Sequence, residues 1–178
     1  LQEKILVIGE NIKIRRFARF EGVCSAYVHG GGTHGVLVQF DTDDATAAKA
    51  EFTAFGKDIA MQIAAINPLF LDKNSVPADV VEHEKKILTE QVMNEGKPAN
   101  IAEKIVMGKL NKYYKEVCLL EQPFVKDGDL SVQKYIDNTG KELGGPIAVV
   151  GFVRFEKGEG LEKRDDSNYA QEIAELVK

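Results

Sequence analysis

Hydrophobic periodicity divides the chain into recognisable elements. Over residues 45–66, Phe52, Phe55, Ile59, Ile63 and Ile66 recur at three- and four-residue spacing, which is one face of a long helix. Asn67-Pro68 stops this helix, and Asp41-Thr42-Asp43 offers N-cap candidates ahead of it. Upstream, residues 23–28 and 36–40 are rich in β-branched and aromatic side chains and read as strands, separated by Gly30-Gly31-Gly32-Thr33-His34-Gly35. In residues 12–20, Ile12, Ile14, Phe17, Ala18 and Phe20 keep only imperfect alternation, which predicts a strand with a bulge or strong twist. That strand breaks at Glu21-Gly22 and returns as a second one ending at His29, so the three segments predict an antiparallel meander. Residues 3–7 are too short to classify, and Gly9-Glu10-Asn11 reads as a turn.

The middle of the chain changes character. Residues 77–95 are charged, with Val80, Val81, Ile87, Leu88 and Val92 as a sparse helical stripe. Gly96-Lys97-Pro98 is a break that pairs a C-terminal Gly with a Pro suited to the next first turn. A second helix over residues 99–113 carries Ile101, Ala102, Ile105, Val106 and Leu110. Two narrow stripes joined by a tight turn describe a helical hairpin, which should pack against the core or a second copy of itself. Beyond it, residues 131–138 read as a helix and Gly144-Gly145-Pro146 as a loop. Residues 147–156 are apolar on both faces, which predicts a central, buried strand. Ile173, Leu176 and Val177 mark a last helix over residues 169–177.

Two short echoes flank the hairpin. Phe17-Ala18-Arg19-Phe20-Glu21-Gly22 resembles Phe152-Val153-Arg154-Phe155-Glu156 with Gly158, and Phe55-Gly56-Lys57-Asp58-Ile59-Ala60 resembles Tyr169-Ala170-Gln171-Glu172-Ile173-Ala174. They suggest a core of two related halves, with chance similarity of short apolar segments as the alternative. The expected fold is α+β: small antiparallel sheets packed with helices in a two-part core, residues 1–76 and 116–178, with an inserted antiparallel helical hairpin at 77–115.

Composition narrows the partners. The 178 residues, 44% hydrophobic and 29% charged, are ordinary for a globular chain, and no run approaches the roughly 18 apolar residues of a membrane span. The N-terminal Leu1-Gln2-Glu3-Lys4 shows neither an initiator Met nor a signal peptide, so the chain is expected to be excised or processed, with functional parts upstream. With 23 basic against 28 acidic residues, a phosphate backbone is not the expected main partner. One basic cluster, Lys13, Arg15, Arg16 and Arg19 among Phe17 and Phe20, reads as a solvated strand face or a protein contact before a nucleic-acid site. Cys24 and Cys118 have no metal or redox spacing and read as reduced thiols.

The search for catalytic chemistry is mostly negative. Gly30 to Gly35 satisfies G-x-G-x-x-G, but a dinucleotide fingerprint must open a helix, and this run leads into a strand. His29, His34 and His83 lack ligand-like spacing, no nucleophile elbow is visible, and Glu156, Glu159 and Glu162 read as a solvated acidic stretch. No cofactor or metal is expected. What remains is the Gly9-Glu10-Asn11 turn and His29, each open to a bland reading as turn chemistry and to a functional one as a partner contact.

Three motifs then bear on these alternatives. Ile8-Gly9-Glu10-Asn11-Ile12-Lys13-Ile14-Arg15-Arg16 leads toward a hairpin ending in His29-Gly30. Gly96-Lys97-Pro98 is followed by Ile101-Ala102-Glu103-Lys104-Ile105 and Gly108, and later by Leu120 with Gln122-Pro123-Phe124-Val125. In that order they resemble the signatures of elongation factor Ts, the guanine-nucleotide exchange factor of elongation factor Tu, from about Ile8 onward. The resemblance implies a cytoplasmic, non-enzymatic exchange factor whose helical hairpin is a dimerisation domain. It also implies that Ile8, Gly9, Glu10, Asn11 and His29 face the GTPase, whose magnesium and phosphate end the family disturbs. One departure matters: the family's N-terminal helical module and its Thr-Asp-Phe-Val motif have no match here. A chain without them is expected to bind elongation factor Tu and exchange nucleotide poorly. The competing readings are a dimerising scaffold with no GTPase partner and a nucleotide-binding enzyme using the Gly30 to Gly35 segment.

Overall fold

In the computed structural model, which describes residues 1–96 and 98–161, the architecture is α+β. The elements in order are α1 (Gln2–Ile8), β1 (Val23–His29), β2 (His34–Thr42), α2 (Asp44–Ala47), α3 (Ala50–Ile66), α4 (Ala78–Asn94), α5 (Ala99–Val117), β3 (Pro123–Phe124), β4 (Asp127–Ser131), α6 (Val132–Leu143) and β5 (Ile147–Glu156). The main sheet has the order β1-β2-β5, antiparallel throughout, and β3 pairs with β4 in a two-stranded sheet. The helix expected at residues 169–177 lies outside the described residues.

α3 covers one face of the main sheet. Val36, Val38 and Phe40 of β2 meet Phe52, Phe55, Ile59 and Ile63 in a single buried cluster. Phe40 packs against Phe52 and Phe55 with ring centroids 5.4 and 5.6 Å apart, and Tyr135 of α6 stacks on Phe124 at 4.1 Å. The helical stretch expected over residues 45–66 is broken at Ala48-Lys49. Asp43 caps α2 by accepting from the Thr46 N–H at 2.8 Å, and Asn67 closes α3 in the left-handed region at φ 54°. α4 and α5 pack on each other around their own cluster of Leu88, Val92, Ala102, Val106 and Leu110.

Three expectations are corrected. Residues 12–20 form no strand. The segment crosses the sheet face opposite α3, where Arg16 lies 4.6 Å over the Phe155 ring and Gln39 Nε2 donates to the Glu21 carbonyl at 2.8 Å. Lying across a face, it meets no strand edge to bond with, and a strand needs a ladder partner. The meander therefore takes β5, not residues 12–20, as its third strand. β5 in turn is not central: it is bonded only to β2 and lies at the edge. Its apolar character on both faces arises because Val149 and Phe152 meet the helix-side core while Phe155 is covered by Arg16. The echo of residues 17–22 in residues 152–156 thus pairs an irregular segment with a strand, and its second half lies outside the described residues.

Candidate functional site

The Gly30 to Gly35 segment is a hairpin turn that runs straight into β2. Gly30, Gly31 and Gly32 have φ of 58°, 64° and 98°, a left-handed succession that side chains resist. A Cβ on Gly30 would stand 2.3 Å from Thr33 Oγ1. The His29 carbonyl accepts from the N–H groups of Gly32 and Thr33 at 3.1 and 3.0 Å, which closes the turn. No helix N-terminus follows, so the geometry of a dinucleotide fingerprint is missing at this segment.

This turn sets His29 directly opposite His34, with ring centroids 6.1 Å apart. His29 is exposed, and its Nδ1 shares a hydrogen bond with Tyr27 Oη at 2.9 Å. His34 Nε2 stands 3.5 Å from Glu156, whose carboxylate also takes Arg154 Nη2 at 3.0 Å. Arg154 Nε reaches the Ala64 carbonyl of α3 at 3.4 Å. Strand alternation puts Tyr27, His29, His34, Arg154 and Glu156 on the α3 side of the sheet. Between them and the C-terminal end of α3 lies a cavity of about 650 Å³, walled also by Met61, Ala65, Val125 and Lys126. Sequence reasoning singled out His29 and missed the rest. The signal was the four-residue turn, which makes His29 and His34 cross-strand neighbours.

The other expected contacts stand apart from this group. Ile8 is 57% exposed, and Gly9, Glu10 and Asn11 are exposed. Gly9 adopts φ 78° and ends α1 by donating its N–H to the Ile5 carbonyl at 2.8 Å, while Ile12 N–H bonds the Glu10 carbonyl at 2.9 Å. Among the described residues no hydrogen bond, ion pair or ring contact joins residues 8–11 to His29. The two groups are nonetheless tied to one end of the sheet. Arg16 pairs with Glu159, just past β5, at 2.7 Å, and Arg15 donates to the Glu159 carbonyl. Asn11 lies four residues before Arg15, at most about 14 Å of chain.

The basic cluster is therefore partly neutralised: Arg16 by Glu159, and Arg19 by Glu21 at 2.9 Å. The Arg16 hydrogen bond holds the Glu159 carboxyl below the usual carboxylate range. Glu156 and Glu159 are thus ion-pair partners, not a purely solvated stretch, and Glu162 lies outside the described residues. Elsewhere, burial pushes the Cys118 thiol up to about 11, which makes it a poor nucleophile. Burial and the neighbouring Asp58 push the Tyr135 phenol up to about 12. Among the described residues no three His, Cys, Asp or Glu side chains are placed to hold a metal ion, and no helix is long and apolar enough to cross a membrane.

The fold and this exposed sheet end define an α+β protein whose candidate site is a surface of turn and hairpin residues. Comparison with known proteins specifies the class. A family model described as Elongation factor TS matches residues 1–159. The chain is 52% identical over 173 residues to elongation factor Ts of Clostridium botulinum (strain Eklund 17B / Type B), covering 96% of this chain and 56% of that protein. It is 48% identical over 179 residues to elongation factor Ts of Clostridium perfringens (strain SM101 / Type A), covering 99% and 58%. The chain belongs to the elongation factor Ts family, and it spans little more than half the length of these curated relatives.

Proposed function

We propose that this chain binds elongation factor Tu and promotes release of its GDP, with Ile8, Gly9, Glu10, Asn11 and His29 among the contacts. Family membership carries the reading, and the exposure of all five residues supports it. Exchange of this kind makes and breaks no covalent bond, and it needs no cofactor. A factor that binds the nucleotide-free GTPase more tightly than the loaded one lowers nucleotide affinity by the same ratio. Each tenfold weakening takes about 1.4 kcal/mol of differential contact. The site of action is the cytoplasm, where translation elongation takes place.

The test is release of fluorescent GDP from elongation factor Tu, paired with a binding titration. Acceleration supports exchange. Binding without acceleration limits the chain to docking, and no binding defeats the reading. His29→Ala is expected to weaken the complex about tenfold while leaving the melting temperature nearly unchanged, because the side chain is exposed. An equal loss of stability would make His29 structural. The hairpin of α4 and α5, residues 77–115, is proposed as a separate unit through which two copies associate. Ile87, Met93, Ile101 and Met107 are 37%, 54%, 47% and 47% exposed on it. Sedimentation as a monomer at every concentration would exclude that role.

A further inference from the structure

We propose that the cavity beside His29 receives an apolar side chain standing next to a carboxylate on the surface of elongation factor Tu. The inference rests on the docking reading above and names what the His29 end of the sheet recognises. Its volume, about 650 Å³, is ample for one side chain together with a neighbouring carboxylate. The walls are largely apolar: Met61, Ala64 and Ala65 from α3 face Val125, which is itself 47% exposed.

The charged groups on those walls are both cations. Arg154 and Lys126 line the cavity, and no lining residue is a carboxylate. Their acidic partners stand outside it: Glu156 is 3.0 Å from Arg154, and Asp58 is 2.6 Å from Lys126. In each pair the cationic member is the one that lines the cavity. The Arg154 side chain is only 10% exposed and is held from two sides, by Glu156 and by the Ala64 carbonyl, so its charge is fixed in place. Tyr27 occupies Nδ1 of the exposed His29, which leaves Nε2 as the remaining polar atom of that ring. A lysine or arginine entering here would meet the cationic member of each ion pair before its carboxylate, a juxtaposition that disfavours basic partners. A carboxylate meets complementary charge, and the apolar group beside it fills the wall of methyl and thioether groups.

Affinity of the full chain for nucleotide-free elongation factor Tu, measured by calorimetry, tests this with two substitutions. Ala65→Trp narrows the cavity from an exposed position, and an unchanged melting temperature shows that the fold is retained. It is expected to weaken the complex at least about tenfold, equivalent to about 1.4 kcal/mol. Lys126→Ala removes one cation from the cavity wall and is expected to weaken the complex severalfold, with a shallower salt dependence. If Ala65→Trp binds as tightly as the wild type while His29→Ala weakens the complex, the cavity is overturned and the docking reading stands. If Lys126→Ala binds unchanged or tighter, the carboxylate is overturned. If the wild type does not bind at all, both proposals fall.

Discussion

Replacing Gly56 by alanine sets helix propensity against packing. Gly56 lies in the middle of α3 and is buried against β1. Propensity alone favours the substitution by about 1 kcal/mol, since glycine is the weaker helix former. The contact opposes it. A Cβ at this position would stand 2.0 Å from Ser25 Oγ and 2.9 Å from Ser25 Cβ. The hydroxyl can rotate away, but the Ser25 Cβ is fixed to its strand, so α3 and β1 must separate or the sheet must bend. Overpacking of this kind costs about 1–3 kcal/mol, and near its upper end where backbone has to move. The expected net effect is a destabilisation of about 1–2 kcal/mol, read as a melting temperature lower by about 2–8 °C for a chain of this size. The decisive arm is a double-mutant cycle with Ser25→Gly, which removes both clashing atoms. In that background Gly56→Ala should become stabilising by close to its helix-propensity gain, with a coupling energy above about 1 kcal/mol. A rise in melting temperature for Gly56→Ala in the wild-type background would refute the close approach of α3 to β1.

Two further changes probe the core and its pH dependence. Gln62 is fully buried, with its Nε2 donating to Gln122 Oε1 and the Pro123 carbonyl, each at 3.1 Å, and its Oε1 accepting the Val125 N–H at 2.7 Å. Gln62→Leu keeps the volume and strands those groups, so denaturant titration should show a loss of about 2–4 kcal/mol; a loss below half a unit would mean that water takes over the network. Tyr135 donates to Asp58 at 3.1 Å, and its phenol is pushed up to about 12 against an ordinary value of 10.0. A raised folded value means stability is fully present below the unfolded value and is lost as pH climbs from about 10 to about 12. Tyr135→Phe should flatten that alkaline decline, and an unchanged decline would assign it to other groups such as Cys118.

The parts legible in the sequence were those whose cause is local. The α3 stripe of Phe52, Phe55, Ile59 and Ile63 is one face of one helix, and all four side chains are buried. The two strands, read over residues 23–28 and 36–40, declare themselves by β-branched and aromatic composition around a glycine turn. Residues 12–20 were misread because Ile12, Ile14, Phe17 and Phe20 satisfy strand composition, whereas a strand also requires a free edge that sequence does not display. In place Phe17 is 85% exposed and Ile14 69%. β5 was misplaced for a related reason: two apolar faces imply two covering layers, and the second layer is the irregular segment itself. At the candidate site, His29 was legible through its motif. Arg154 was not, because its role depends on a register between β2 and β5 that lies more than a hundred residues apart in sequence.

That register ties the candidate site to the core. α3 touches β1 at Gly56 and Ser25, walls the cavity with Met61 and Ala65, and offers its Ala64 carbonyl to Arg154. One helix therefore sets the height of the His29 strand and the position of the cation beneath it. Such a surface loses little conformational freedom when a partner docks, so more of the contact energy remains for affinity. The exchange proposed for this chain depends on the difference between contacts to the empty and the loaded GTPase. The clash expected at Gly56→Ala thus reaches beyond stability. By lifting β1 off α3 it should also move Tyr27 and His29 relative to Arg154, and weaken partner binding even where the variant remains folded.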